Sequence, residues 1–147
     1  MHSRFVLYAV VATLAVGGVA VAADALFVSD AEQVEQLADD LTRRESGSRV
    51  DAVLRWIDPA REPVTITVGR NVRRFTEDED YALADELADA LAPFEARELE
   101  VVQRSVRIDG ERGTVAVRVR ASGRIHDATL HLVKNGQSWL VTDVRTH

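Results

Sequence analysis

The last third of the chain alternates between apolar and polar residues, a pattern typical of strands that bury one face. The alternation is clearest over 114–121, where one face of an extended strand carries Val115, Val117, Val119 and Ala121. The same periodicity predicts four consecutive antiparallel strands, at about 99–108, 113–122, 125–133 and 138–145. The buried face of this sheet must then be covered by the part of the chain that precedes it.

Turn-forming residues separate these predicted strands. The pair Asn135-Gly136 predicts a type I′ turn, because both residues tolerate the positive φ that the two central positions require. Residues 109–113 contain two glycines and form an earlier turn, and Gly123 lies in a very short connection. Connections this short make consecutive strands antiparallel neighbours in the sheet.

Upstream of the sheet, apolar residues recur at helical spacing. Ser29 and Glu32 form a capping box, in which the hydroxyl and the carboxylate each accept a backbone N–H at a helix start. The helix that follows runs to about residue 44 and buries one stripe, Val34, Leu37, Ala38 and Leu41. A short second helix begins after Ser48 and ends before Pro59, with Trp56 beside its apolar stripe.

One strand and a third helix complete the predicted domain. Residues 64–68 alternate as a strand, and Thr76 with Glu79 forms a second capping box that opens a helix ended by Pro93. Between them lies a basic cluster, Arg70, Arg73 and Arg74. Ion pairs with the acidic residues 77–80 explain this cluster better than an anion-binding rim, because surface ion pairs are common.

These elements predict an α+β fold in which three helices pack on a curved antiparallel sheet, in the order α-α-β-α-β-β-β-β, behind an N-terminal apolar helix. Residues 1–28 are predicted to be a signal anchor or signal peptide, and residues 29–147 to be one folded domain. At 147 residues, the chain has no room for a second domain of ordinary size.

The N-terminal segment indicates a membrane or export function. Residues 5–23 form an uncharged apolar run of 19 residues, which is long enough to cross a bilayer as a helix. As a signal peptide the segment would be cleaved after Ala22, and as an anchor it would extend to Val28. We favour the anchor, because residues 25–28 are apolar and lead directly into the helix cap.

Either interpretation places the domain in the cell envelope outside the cytoplasm, since Arg4 precedes the apolar run and acidic residues follow it. With the anchor the protein is a single-pass membrane protein in contact with the bilayer through residues 5–28. With cleavage it is periplasmic or secreted.

Composition excludes several classes of function. The formal net charge of −6 argues against binding to nucleic acid, which requires a basic surface. Cysteine is absent, which rules out a disulfide framework, a thiolate metal site and a cysteine nucleophile. His126 and His131 lie on one predicted strand at an odd separation, so they project to opposite faces and cannot share a metal ion. We therefore predict no metal, no cofactor and no nucleic-acid partner.

The element order and the closing sequence Gly-Gln-Ser-Trp-Leu-Val-Thr-Asp-Val at 136–144 resemble the nuclear transport factor 2-like superfamily, which includes ketosteroid isomerases and SnoaL-type polyketide cyclases. The resemblance covers about residues 29–146. It implies a cone-shaped fold whose cavity is open at one end, whereas the competing cystatin-like fold has one long helix. Members bind small apolar molecules, catalyse reactions on them or associate through the sheet, so the fold alone does not decide the function.

An enzyme on this fold needs a carboxylate or histidine that projects into the cavity. Asp143 is the weak candidate for this catalytic residue, because it shares strand parity with Trp139 and Val141. The alternative places Asp143 at the rim or in an ion pair with an arginine such as Arg118 or Arg120.

Because cavity acids are scarce, we expect a non-enzymatic binding or interaction module with a small apolar cavity. The predicted lining residues are Trp56, Val117, Leu130, Trp139 and Val141. One alternative is an isomerase, dehydratase or cyclase that uses Asp143. Another is a dimerising domain that uses the outer sheet face, with Arg118, Arg120, Thr129 and His131. The expected partners are a small apolar ligand and either a second copy of the chain or an envelope protein.

Overall fold

The computed structural model describes residues 29–42, 48–95 and 99–147, so the predicted membrane segment 1–28 lies outside the described residues. The helices are α1 (Asp30–Thr42), α2 (Arg49–Leu54) and α3 (Asp80–Leu91), and a 3₁₀ turn (Ala92–Glu95) follows α3. The strands are β1 (Val64–Val68), β2 (Asn71–Phe75), β3 (Leu99–Asp109), β4 (Arg112–Ala121), β5 (Arg124–Asn135) and β6 (Ser138–Thr146). Within the three described ranges, every helix is too short or too polar to span a bilayer.

All six strands belong to one sheet, in the order β2-β1-β6-β5-β4-β3. Strands β3 to β6 form the predicted antiparallel meander. Strand β1, however, pairs in parallel with β6, with Ile66 beside Val144. The sheet is therefore mixed rather than antiparallel throughout. The chain between β1 and β6 includes α3 and three long strands, which is ample for the crossover that a parallel pair requires.

Strand β2 is absent from the predicted order, and this part of the prediction is wrong. Only Phe75 of β2 is buried, so the strand lacks the apolar alternation by which strands are recognised in a sequence. Backbone pairing defines it instead: Val68 pairs with Asn71 across a turn in which Gly69 has a φ of +59°. An edge strand like this one can be polar on both faces because one neighbour is enough to hold it.

The basic cluster follows from β2. The Arg73 guanidinium lies 5.0 Å from the centre of the Phe75 ring, and its Nη1 is 2.6 Å from Oε2 of Glu86 on α3. Within the part of the chain that the structure describes, neither Arg70 nor Arg74 forms an ion pair. The predicted pairing with residues 77–80 is therefore not observed, since β2 carries Arg73 past the helix start to the middle of α3.

The type I′ turn occurs at a different hairpin from the predicted one. Ser122 and Gly123, between β4 and β5, both have positive φ, 51° and 77°. In the last hairpin Asn135 pairs with Ser138, so the central residues are Gly136 and Gln137, and only Gly136 has a positive φ. That pattern is typical of a type II′ turn. The prediction at Asn135 is wrong because Asn135 is the last residue of the strand and not part of the turn.

The capping box of α1 is confirmed, and that of α3 is not. The Ser29 N–H donates to Oε2 of Glu32 at 2.8 Å, while the Glu32 N–H donates to Oγ of Ser29 at 3.2 Å. Before α3, the Thr76 N–H also donates to the carboxylate of Glu79, at 3.1 Å. The helix nevertheless begins at Asp80, so Thr76 and Glu79 close a turn that precedes it.

The three helices cover one face of the sheet, and the core lies between the two layers. The predicted row of Val115, Val117 and Val119 is buried there, as is the predicted α1 stripe of Val34, Leu37, Ala38 and Leu41. Arg104 of β3 adds a polar link, because its Nη1 donates to Oδ1 of Asp39 at 2.5 Å and its Nη2 bonds to Glu35. Side-chain packing and this clamp hold α1 across the sheet, and the end of the sheet near the β5–β6 turn remains open.

Candidate functional site

A cavity of about 820 Å³ opens at one end of the fold, between α1, the α2–β1 loop, the start of α3 and the start of β6. Its apolar wall consists of Leu54, Trp56, Ile57, Leu83, Trp139 and Leu140. The volume lies in the range of sites that hold small organic molecules. Both tryptophans of the chain lie in this wall, although they are far apart in the sequence.

Trp139 is held in place from two sides. Its indole N–H donates to Oδ1 of Asp30, the first residue of α1, at 3.1 Å. The other carboxylate oxygen of Asp30 accepts a hydrogen bond from Nζ of Lys134 at 2.6 Å. On β4, Gly113 leaves room for the indole, since a Cβ atom there would lie 3.3 Å from Cζ3 of Trp139. Trp139 is therefore held rigidly, and because only 2% of the residue is exposed it backs the cavity wall and contributes little open surface.

Trp56 is held through its backbone. Its carbonyl accepts a hydrogen bond from the N–H of Val141 on β6, at 2.7 Å. Pairing of β1 with β6 starts at Thr65 and Asp143, so β6 has no β1 partner at the level of Val141. The α2–β1 loop occupies that position and places the partly buried Trp56 side chain in the cavity wall.

The rim of the cavity is charged. It carries four carboxylates and two guanidinium groups: Asp40, Asp58, Glu77, Asp80, Arg55 and Arg61. Nη2 of Arg55 lies 3.4 Å from Oδ2 of Asp40, and Nε of Arg61 lies 3.3 Å from Oδ2 of Asp58. Glu77 and Asp80 form no ion pair with any residue that the structure describes. The rim therefore has a net charge of −2, and the two unpaired carboxylates carry it.

The predicted lining residues fall into two groups. Trp56 and Trp139 line the cavity. Val117, Leu130 and Val141 are fully packed in the core and do not line it. The reason is that the helices pack on the middle of the inner sheet face, and the cavity opens beyond them at one end. Leu54 is the last residue of α2 and Ile57 lies in the loop that follows it, so both reach the cavity wall because the helix ends at Leu54.

A β-bulge determines where Asp143 lies. His131 pairs with Asp143 but the next residue, Leu132, pairs with Val141, so Thr142 is an extra residue in β6. The extra residue reverses strand parity, and both Val141 and Val144 are therefore buried. Asp143 consequently lies on the outer sheet face. The prediction that it shares the inner face with Trp139 and projects into the cavity is therefore wrong.

On the outer face Asp143 has a partner on its own strand. Its Oδ1 accepts a hydrogen bond from Nε of Arg145 at 2.7 Å, and this bond with the charge of Asp143 raises the pKa of Arg145. The arginines predicted as partners of Asp143 bond elsewhere, Arg118 to Asp127 and Arg120 to Glu100, each at 2.7 Å. Arg118 and Arg120 lie on β4, which β5 separates from β6, and Asp143 pairs within its own strand.

The two histidines of β5 lie on opposite faces, as predicted. His131 is on the outer face, where its Nδ1 is 3.3 Å from Oγ1 of Thr114. His126 pairs with Val119 on the inner face, near the end of the sheet opposite the cavity. No group of three potential metal ligands occurs within 29–42, 48–95 and 99–147.

The cavity has an apolar wall and a charged rim, and few of the described residues that line it could act as a general acid or base. Among the described residues that line it, no histidine or tyrosine occurs. Glu77 and Asp80 are exposed, and Asp40 is engaged by Arg55. A general base on a carbon substrate has to be desolvated beside the reacting atom; Asp40, with 15% of its side chain exposed, is the most buried of the four carboxylates and is held by Arg55.

Comparison with known proteins identifies the fold. No protein-family model and no curated protein matches the sequence. Among solved structures, a protein from Shewanella frigidimarina, named only provisionally as a ketosteroid isomerase, is 22% identical with a TM-score of 0.56, over 81% of this chain and 95% of that chain. An NTF-2-like protein of unknown function from Shewanella oneidensis is 14% identical with a TM-score of 0.53, over 80% of this chain and 98% of that one.

A third similar structure is a DUF4783 family protein from Bacteroides ovatus, 11% identical with a TM-score of 0.54, over 75% of this chain and 89% of that one. Together these likenesses confirm the nuclear transport factor 2-like fold that the closing motif and the element order indicated. At such low identity they establish the fold alone, and any activity has to be argued from the site.

Proposed function

We propose that this nuclear transport factor 2-like domain is a binding module that holds a small molecule with an apolar group in the cavity at its open end. The observation that carries the proposal is the convergence of both tryptophans on one cavity. Trp56 is the partly exposed tryptophan and offers a rigid apolar surface to a ligand, while the buried Trp139 backs the wall, and aromatic side chains of this kind are common in small-molecule sites. The hydrogen bonds from Trp139 to Asp30 and from Val141 to the Trp56 carbonyl support both walls before a ligand binds.

The position of the charges favours binding over catalysis. The carboxylates that face the cavity lie at its rim, in contact with solvent or with an arginine. Asp143, the residue on which the enzymatic alternative rested, points away from it. An isomerase or cyclase would need a desolvated base next to the bound ligand, and the apolar wall contains none among the described residues.

The binding function is tested with the tryptophans as reporters. The chain is titrated with neutral 1-octanol below its solubility limit, and binding is followed by tryptophan fluorescence and by calorimetry. We expect saturable binding that Trp56→Ala weakens by about tenfold, since the variant removes one wall. The matched control is Tyr81→Ala, because Tyr81 is 92% exposed on α3 and lies outside the cavity. Absence of saturable binding, or equal weakening by both substitutions, would overturn the proposal.

We also propose that residues 5–28 hold the domain at a membrane of the cell envelope, on the side away from the cytoplasm. The supporting observation is the apolar run of 19 residues, which ends a few residues before α1 begins at Asp30. Extraction of membranes at alkaline pH should leave the full chain in the pellet. External protease should degrade the domain in spheroplasts. A mature N-terminus at Ala23 would instead identify a cleaved signal peptide, and recovery with cytoplasmic markers would exclude both.

A further inference from the structure

We infer that the cavity selects ligands in which a positive charge adjoins the apolar group, that is, ligands of the alkylammonium class. This inference rests on the proposed binding function and concerns the same cavity. It adds the chemical class of ligand, which neither the fold nor the apolar wall determines.

The balance of charge at the rim is the first argument. Arg55 and Arg61 are each paired with an aspartate, Asp40 and Asp58, so neither guanidinium is available to an anionic ligand without loss of an ion pair. Glu77 and Asp80 are left without an ion pair within the described residues. A cation that enters the cavity would therefore neutralise charge, whereas an anion would meet a net charge of −2.

Glu77 and Asp80 differ from the nearby Glu79, whose carboxylate has a structural function. The carboxylate of Glu79 accepts the Thr76 N–H and is used to close the turn. Glu77 lies within that turn and Asp80 begins α3, and both line the cavity. An acidic residue at a helix start is stabilised by the helix dipole, but this applies equally on every side of the helix. Within residues 77–80, Glu77 and Asp80 are the two that line the cavity, whereas Asp78, which also forms no ion pair with a described residue, lies outside it.

Trp56 is the second, independent argument. A cation held against the face of an indole ring is attracted by the ring quadrupole, and tryptophan is the best of the aromatic residues in this respect. Trp56 is partly exposed at the cavity wall, on the α2–β1 loop that also carries Arg55 and Asp58. Quaternary ammonium groups are recognised in proteins by aromatic faces of this kind. At this cavity the rim carboxylates add a Coulombic attraction. The cavity provides both in one place, with an apolar wall behind them.

The experiment compares three probes that share one chain length and differ in the head group: octyltrimethylammonium, 1-octanol and octanoate, all below their aggregation limits. Dissociation constants are measured with the full chain by tryptophan fluorescence and calorimetry. We expect the cation to bind about fivefold to tenfold more tightly than the alcohol, and octanoate to bind most weakly. The preference should decrease at high salt, because the rim carboxylates are exposed.

Two double variants assign the preference to the rim. Glu77→Gln with Asp80→Asn should lower the affinity for the cation more than the affinity for the alcohol, and so remove the part of the preference that the rim charge supplies. Asp85→Asn with Asp89→Asn is the matched control, because it removes the same charge from α3 at exposed positions outside the cavity. The control should retain the preference.

Each result decides between the two proposals. Equal affinity of the unmodified chain for the cation and the alcohol would overturn the cationic preference and leave the binding function intact, as would a preference for octanoate. A cationic preference that both double variants lose equally would attribute it to overall charge and overturn the assignment to the rim. Failure of all three probes to bind would overturn the binding function itself.

Discussion

The indole N–H of Trp139 donates a hydrogen bond to Oδ1 of Asp30 at 3.1 Å and so joins the last strand to the first helix. The two residues are at opposite ends of the described chain. The same aspartate accepts from Lys134, which lies on β5 beside Trp139. Asp30 therefore fixes the start of α1, the end of β5 and the start of β6 around the cavity.

This contact predicts a specific loss of stability in acid. Hydrogen bonds from Lys134 and then from Trp139 lower the pKa of Asp30 below its ordinary value of 3.8. Because the folded-state pKa is lower than the unfolded-state pKa, the stabilisation is complete above about pH 4 and is lost as pH falls through the folded-state pKa. Urea unfolding of Asp30→Asn between pH 2.5 and 6 should show lower stability near neutral pH and a smaller decrease in acid than the unmodified chain.

Glu32 serves as the internal reference for this measurement. The backbone N–H and the hydroxyl of Ser29 lower the pKa of Glu32, so it contributes an acid-dependent stabilisation with the same sign. That contribution should persist in Asp30→Asn and disappear in Glu32→Gln. Identical pH profiles for Asp30→Asn and the unmodified chain would show that Asp30 does not link the two ends of the domain.

Substitution of Leu130 tests whether this residue is packed in the core or lines a cavity. It was predicted to line a cavity, and it lies fully buried on the inner sheet face. Leu130→Ala should lower the free energy of unfolding by about 2–5 kcal/mol, since the packed helices can relax only partly into the space. Ile125→Ala on the same strand is the control, because Ile125 is 45% exposed and its truncation should change stability by less than about 1 kcal/mol. Equal effects in urea unfolding would contradict the packing described for β5.

The type I′ turn at Ser122 and Gly123 predicts opposite effects for two small substitutions. Gly123 has a φ of +77°, so Gly123→Ala forces a Cβ into the left-handed region and should destabilise the domain by about 1–2 kcal/mol. Ser122 already occupies that region at 51°, so Ser122→Gly should be neutral or slightly stabilising. Thermal unfolding of both variants measures the difference. A tolerated alanine at 123 would mean that the turn is not type I′.

A substitution at Gly113, which does not line the cavity, should change the position of Trp139 in the cavity wall. A Cβ at this position would lie 3.3 Å from Cζ3 of Trp139 and 3.5 Å from Cβ of Leu132, both in buried surroundings. Gly113→Ala should therefore displace the indole, cost about 1–3 kcal/mol of stability and weaken binding of 1-octanol. Combined with Trp56→Phe, the variant reports through Trp139 alone. Emission and affinity identical to those of the Trp56→Phe single variant would show that the ring has room to spare.

Much of the fold could be predicted from the sequence because it depends on local periodicity. Side chains alternate in strands and repeat every three to four residues in helices, so the Val115–Val117–Val119 row and the α1 stripe could be assigned to the core without coordinates. The Ser29 cap was equally local. Edge strand β2 was not predicted, because it is held by backbone pairing with β1 and its side chains show no apolar alternation.

The candidate site depended on contacts between distant residues. Sequence parity placed Asp143 with Trp139, and one extra residue at Thr142 reversed it, since the register of β6 is set by its pairing with β5. The sequence by itself thus determined the helices, the four-strand meander and the apolar face, each of which is encoded by neighbours along the chain. Only the tertiary structure decided that Trp56 and Trp139 share a cavity and that Asp143 does not, because those relations depend on strand register and loop position.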